Sequence, residues 1–377
     1  MNLDEFCRAG GVEFPSLVEK VDSSVGLNDD DFLLAVGSLV EGLGNSKSDL
    51  DLLLITPRAE CLLPPQDEIA LMVGRCLVDI RILRTAQVEE LLARLGEWAR
   101  LPWDVTHAAK FTKEERVLLH RLLHAQLVFS KDTVNVVPRP SRQAMARLTL
   151  HVARHISRTI QVDMVGHRGS KDYRSLVFAA QELLGHAVDA LLAAYGLTNP
   201  LPKWRSRLLE SIPSDWESSL TTRPSGTTAG QRFWQLHRAP EHPEEESSLE
   251  HALRITTFAR AVFVWTERRL LRGPAAPDGQ TSWPQLDRWL TDTVLPHLDF
   301  DVDFMLGNED VMVGRLNDFG ETLRLSPREF ALALFWDGTT TAREAEAVVS
   351  GCYSGETGMS VADDLMSRIR AANLNFE

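Results

Sequence analysis

The stretch LLAVGSLVEGLGNSKSDLDLLLIT, residues 33–56, constrains the fold more than any other part of the chain. Two apolar runs, FLLAV (32–36), which starts one residue before the stretch, and the run from Asp49 to Thr56, are short and bounded by Gly37-Ser38 and by Pro57, so both read as buried strands. In an extended strand, Asp49 and Asp51 share one face while Leu50, Leu52 and Leu54 point to the other. Two carboxylates side by side at the mouth of an apolar strand repel each other and hold their protons more tightly. A cation is expected between them.

The pattern continues as a small mixed α/β layer. EIALMVG (68–74) has helical character, and CLVDIRIL (76–83) reads as a third strand with Val78, Ile80 and Ile82 on one face and Asp79 with Arg81 on the other. A helix is expected from about Gln87 to Leu95, and a turn into a short helix after Ser38. The acidic positions then gather at the edge of the sheet. From Lys113 the spacing turns helical, in residues 114–129, 142–162, 172–196 and 249–271. GPAAPDGQTSWP (273–284) has the composition of a linker, after which residues 311–326 suggest a hairpin and residues 327–338 and 341–351 two helices.

A chain of 377 residues exceeds a typical single core. The expected class is α+β: a mixed-sheet domain over 1–112, an α-helical domain over 113–272, a linker over 273–297 and a small module over 298–377 whose separability the linker suggests. Four scattered cysteines lack the spacing of a zinc site or a disulfide framework. No run approaches a membrane span, and MNLDEFCRAGG lacks the pattern of a secretory signal, so a cytoplasmic location and no membrane partner are expected. The net charge of −13 disfavours a polymeric nucleic acid, whose phosphates call for a basic surface. It does not disfavour a single nucleotide carried with a divalent metal.

Gly37 permits close backbone approach, and Ser38 and Ser48 offer hydroxyls and amides that can hold phosphate oxygens. Asp49, Asp51 and Asp79 could then ligate divalent metal for an in-line displacement at phosphorus. The structural alternative makes Asp49 a turn cap, leaves Asp51 solvated and pairs Asp79 with Arg81.

The order Gly-Ser, then Asp-x-Asp beginning eleven residues after the serine, then a single Asp on a later strand, resembles the nucleotidyltransferases of the DNA polymerase beta superfamily. GSLVEGLGNSKSDLDLLLIT is similar to the small-molecule and minimal branch, and the likeness covers residues 32–83. The resemblance implies transfer of a nucleoside monophosphate, AMP from ATP, to a hydroxyl of a small molecule or peptide with release of pyrophosphate. It implies Mg²⁺ or Mn²⁺, two per site, with a nucleoside triphosphate as co-substrate. Asp49, Asp51 and Asp79 carry over as metal ligands, Asp79 also as a general base, and Gly37 with Ser38 as triphosphate contacts.

Relatives close an α-helical domain on the nucleotide, which makes Lys203, in NPLPKWRSRLL, and Lys171, in HRGSK, triphosphate contacts to look for. Glu182, His186 and Asp189 fall on one helix face and could line an acceptor pocket or form a solvated stripe. GRLNDFGETLRLSPREFALALFWDGTTTAREAEAVV resembles PqqD-like peptide-recognition modules, with a winged-helix packing domain as the alternative. A second functional expectation follows: a regulatory or binding protein that nucleotidylates a partner protein, as toxin–antitoxin relatives do, or that holds nucleotide while recruiting a peptide.

Overall fold

The computed structural model describes residues 1–58, 68–100, 111–131, 137–213, 216, 227–271, 293–306, 311–316, 322–352 and 360–376. The fold is α+β and divides into two compact units. The first comprises residues 1–148 and 198–204, the second residues 149–197 and 205–377. This division differs from the boundaries expected near 112 and 272: it falls within a long helix, and residues 298–377 share a unit with the preceding helices. The proposed linker at 273–284 lies outside the described residues.

The first unit opens with α1 (Leu3–Gly10) and α2 (Phe14–Val25), followed by β1 (Phe32–Val36), β2 (Leu50–Thr56), β3 (Glu68–Val73) and β4 (Cys76–Arg84). Next come α3 (Thr85–Arg100), α4 (Lys113–His124) and β5 (Gln126–Phe129). The strands form one sheet in the order β3-β4-β2-β1-β5, with β2 and β4 parallel and the other neighbours antiparallel. Alternation gives Leu33, Ala35, Leu50, Leu52, Leu54, Val78 and Ile80 to one face, where they pack against Leu3, Phe6, Leu17 and Val21 of the first two helices. Against the other face lie α3, next to β2 and β4, and α4, next to β1.

Three local expectations are corrected. EIALMVG is not helical: Glu68–Val73 is an edge strand paired antiparallel with β4. The turn at Gly74-Arg75, with Gly74 at φ +59°, folds it back, and alternation carries Ile69 and Leu71 to the core while Ala70 and Met72 face outward. The helical reading of 114–129 stops at His124, because Gln126–Phe129 pairs with β1. After Ser38 the chain makes turns rather than a helix: the Leu43 and Gly44 amides both donate to the Ser38 carbonyl, at 2.8 and 2.9 Å.

The second unit holds most of α5 (Arg142–Gly169), then α6 (Tyr173–Ala194), α7 (Arg205–Leu209), α8 (Ala229–His237) and α9 (Glu245–Leu271). A three-stranded antiparallel sheet follows, β6 (Val302–Leu306), β7 (Val311–Arg315) and β8 (Leu323–Leu325). The chain ends with α10 (Pro327–Ala333), α11 (Ala342–Cys352) and α12 (Ser360–Ala371). Among the described residues, only α6 is long and apolar enough to cross a membrane, and most of it is buried, largely against α9.

The C-terminal sheet is tied to the helices of its unit by buried charge. Arg154 on α5 places Nη2 2.7 Å from Asp303 and Nε 3.1 Å from Glu267. Arg260 on α9 donates to the carbonyls of Asp299 and Val302, at 2.8 and 3.1 Å, and Gln161 donates to that of Phe300 at 2.8 Å. Val264 of α9 lies in the same apolar cluster as Phe304, Phe330, Trp336 and Leu365. The carbonyls of Asp299, Phe300 and Val302 are thus satisfied by side chains of the helices.

Candidate active site

The parallel register of β2 and β4 sets Asp51 directly beside Asp79. Asp49 lies just before β2, exposed, and its carboxyl comes within hydrogen-bonding reach of that of Asp79. On the other side of β2, Val36 pairs with Asp51, which brings Gly37 against the aspartate. Gly37 has φ +80°, and a Cβ there would sit 2.4 Å from Asp51 Oδ2. The glycine is required twice, for its left-handed backbone and for the space its missing side chain leaves to the carboxylate.

The cation expected between the acids is Arg121, in the last turn of α4, whose Nη2 lies 2.9 Å from Asp51 Oδ1. Helix α4 begins in a capping box: Glu115 N donates to Thr112 Oγ1 at 3.1 Å and Thr112 N donates to Glu115 Oε2 at 2.8 Å. Lys203 also faces Asp51 electrostatically, from the short 3₁₀ turn Pro202–Trp204 that belongs to this unit.

Burial pushes the Asp51 carboxyl above the usual carboxylate range, and the charges of Asp49 and Asp79 push it the same way while Arg121 and Lys203 pull it down. Asp79 is raised by burial, by the hydrogen bond with Asp49 and by the charges of Asp49 and Glu68, against a smaller opposing effect of Arg121. Three carboxyl groups gathered at one point fit a divalent cation, since hard oxygen donors are what Mg²⁺ and Mn²⁺ take. The charges that act on Asp79 are those of Asp49, Glu68 and Arg121.

Ser38 contributes its carbonyl to the turn, and the Ser48 hydroxyl accepts from Asn45 N at 3.0 Å, which shapes the approach to Asp49. Lys171 belongs to the second unit, where it is exposed in the turn after α5 at φ +59°. The stripe Glu182, His186 and Asp189 is partly structural. Arg205 grips Asp189 with two hydrogen bonds of 2.7 Å, and its guanidinium occupies the space that a Cβ on Gly185 would need.

Arg121 has no sequence signature: within HRLLH it resembles any arginine on an amphipathic helix. A second feature that spacing alone left unmarked lies one residue away. His120 Nε2 is 2.9 Å from Glu41 Oε2 and its Nδ1 is 3.3 Å from Thr198 Oγ1, while Asn199 Nδ2 donates to both Glu41 oxygens at 3.2 and 3.1 Å. Burial pushes the Glu41 carboxyl up, but His120, Asn199 and His124 outweigh it and leave the group below its ordinary value. Burial and the neighbouring His120 push His124 down.

Compared with known proteins, the chain matches no family model and no curated protein.

Proposed function

We propose that the first unit is a metal-dependent nucleotidyltransferase that moves AMP from ATP to a hydroxyl of a small molecule or a peptide. The observation that carries this reading is the in-register pair Asp51 and Asp79, joined by Asp49 and bordered by the side-chain-free wall at Gly37. In the reaction, the acceptor oxygen forms a bond to the α-phosphorus, the bond from that phosphorus to the bridging oxygen breaks, and pyrophosphate leaves. Asp49, Asp51 and Asp79 would hold Mg²⁺ or Mn²⁺, two per site. Such ions make a hydroxyl a better nucleophile and neutralise charge on the leaving group. Asp79, with its raised proton affinity, suits the role of taking the hydroxyl proton. Arg121 and Lys203 supply positive charge for the triphosphate beside the acids.

A second reading, regulation through a bound peptide, is favoured by one observation. The C-terminal sheet has β6 and β8 as its edges and is followed by α10 to α12, an order that supports the PqqD-like resemblance over a winged helix. A sheet edge can accept an added peptide strand.

The test incubates the full chain with each α-labelled nucleoside triphosphate and Mg²⁺, alone and with small-molecule and polypeptide fractions of an extract. Label transferred to a small molecule or peptide, together with pyrophosphate, and lost in Asp51→Asn, supports the first reading. Label found only on a partner protein supports the regulatory one. Transfer undiminished in Asp51→Asn would overturn the assignment of the site.

A further inference from the structure

Beside the carboxylate cluster, the first unit contains a group of different chemistry. His120 and His124 stand four residues apart on α4, so both imidazoles lie on one face of the helix, and Glu41 meets them from the turns that follow β1. One ligand atom from each of the three residues lies within 4.8 Å of the other two. Ligands about 2.0–2.2 Å from a tetrahedral ion stand roughly 3.3 Å apart, so His120 and Glu41, at 2.9 Å, are already near that separation.

The surroundings have the form of an outer shell. Ligating histidines commonly use their second ring nitrogen in a hydrogen bond that fixes the tautomer, and ligating carboxylates are themselves hydrogen-bonded. Here the Nδ1 of His120 meets the Thr198 hydroxyl, and the Asn199 amide holds both oxygens of Glu41. His120 is 3% exposed, and the Glu41 side chain 9% exposed, so the carboxylate stands in a site largely withdrawn from water.

We infer that Glu41, His120 and His124 bind one divalent transition metal of the zinc class, at a site separate from the aspartate cluster. Two imidazoles with a single carboxylate select zinc-like ions over Mg²⁺ or Ca²⁺, which prefer all-oxygen shells. Three protein ligands leave a position for solvent. The ion fastens α4 to the turns after β1 and, through Thr198 and Asn199, to the segment that carries Lys203. It thereby sets the two residues, Arg121 and Lys203, that face Asp51.

The test adds Co²⁺ to the untagged, chelator-stripped full chain and reads its visible ligand-field bands. One equivalent should give the intense bands of four- or five-coordinate cobalt, bleached by added Zn²⁺. Glu41→Gln and His124→Asn should abolish the bands, Thr198→Val should weaken binding about tenfold, and Asp51→Asn should leave the bands intact. His124 is only half-buried, so His124→Asn, checked by circular dichroism, keeps the test valid if Glu41→Gln fails to fold. Weak six-coordinate bands, or bands that survive in the folded His124→Asn variant, would overturn the site and leave Glu41 and His120 as a hydrogen-bonded pair. Because the readout is cobalt coordination, its failure would not bear on nucleotidyl transfer.

Discussion

Arg121 donates to Asp51 at 2.9 Å, with both side chains about a quarter exposed, and this pair sets one positive charge against the acidic mouth of β2. Asp51 therefore differs from its two neighbours. Arg121→Gln leaves the Asp51 carboxylate without this cation and should lower the melting temperature in chelator, whereas Asp51→Asn removes a carboxyl whose proton affinity folding raises and should leave the melting temperature unchanged or higher. Together they should show a coupling of about 1 kcal/mol, as expected of a partly exposed pair. Arg121→Gln should also weaken Mg²⁺–ATP binding about tenfold in calorimetry, the loss of one charge-assisted hydrogen bond. Additive melting shifts would show that the pair contributes nothing.

The same sign holds more strongly for Asp79, which has no arginine bonded to it among the described residues. Its proton affinity is higher in the folded chain than in the unfolded one, so the cost of clustering is fully present above the folded value and gone below the unfolded value. Asp79→Asn is expected to raise the melting temperature at neutral pH without metal, with the gain over the parent shrinking as the pH falls. Melts at two pH values check this. A variant less stable than the parent at neutral pH would contradict the repulsion.

Gly37→Ala should damage both stability and function. A side chain at φ +80° costs about 1–2 kcal/mol, and its Cβ would displace the Asp51 carboxylate from a position 2.4 Å away. The expected outcome is a folded chain with a lowered melting temperature and Mg²⁺–ATP affinity reduced at least as far as in Arg121→Gln. Unchanged nucleotide binding would show that Asp51 is not held against this backbone in the binding state.

Much of this site is legible in the chain itself, for a local reason. Asp51 and Asp79 follow strand alternation, and Gly37 follows from the abrupt end of FLLAV, so each position is fixed within a few residues of sequence. What escapes is set by pairing at a distance. Glu68–Val73 tolerates a helix and becomes a strand because β4 offers an edge, and Gln126–Phe129 is drawn from the end of a helix onto β1. Arg121 and the Glu41–His120 contact depend on where α4 crosses the sheet, which no spacing encodes. Lys203 is legible only as a cation in NPLPKWRSRLL, and its interaction with Asp51 arises because residues 198–204 return to the first unit.

The C-terminal module should not survive removal of its partners, nor the helices removal of the module. Asp303 meets both Arg154, at 2.7 Å, and Arg158, at 3.0 Å. Asp303→Ala leaves a buried guanidinium short of its partner and should destabilise the second unit by about 3–5 kcal/mol. A chain ended after residue 272 loses Asp299, Asp303 and the carbonyls that receive Arg260, and in size-exclusion chromatography it should aggregate while the full chain should elute as a single species. A truncated chain that stays monodisperse and retains its helix content would show that the charges are dispensable.

The polypeptide leaves the first unit after Leu148, comes back for the seven residues Thr198–Trp204, and departs again. No single cut can therefore release the first unit as one continuous fragment: a piece ending at residue 148 lacks Thr198, Asn199 and Lys203. Such a fragment invites complementation in trans, in which a synthetic peptide spanning 198–204 restores Mg²⁺–ATP affinity to the shortened chain. A miniaturised version would instead join residue 148 to residue 198 by an engineered bridge.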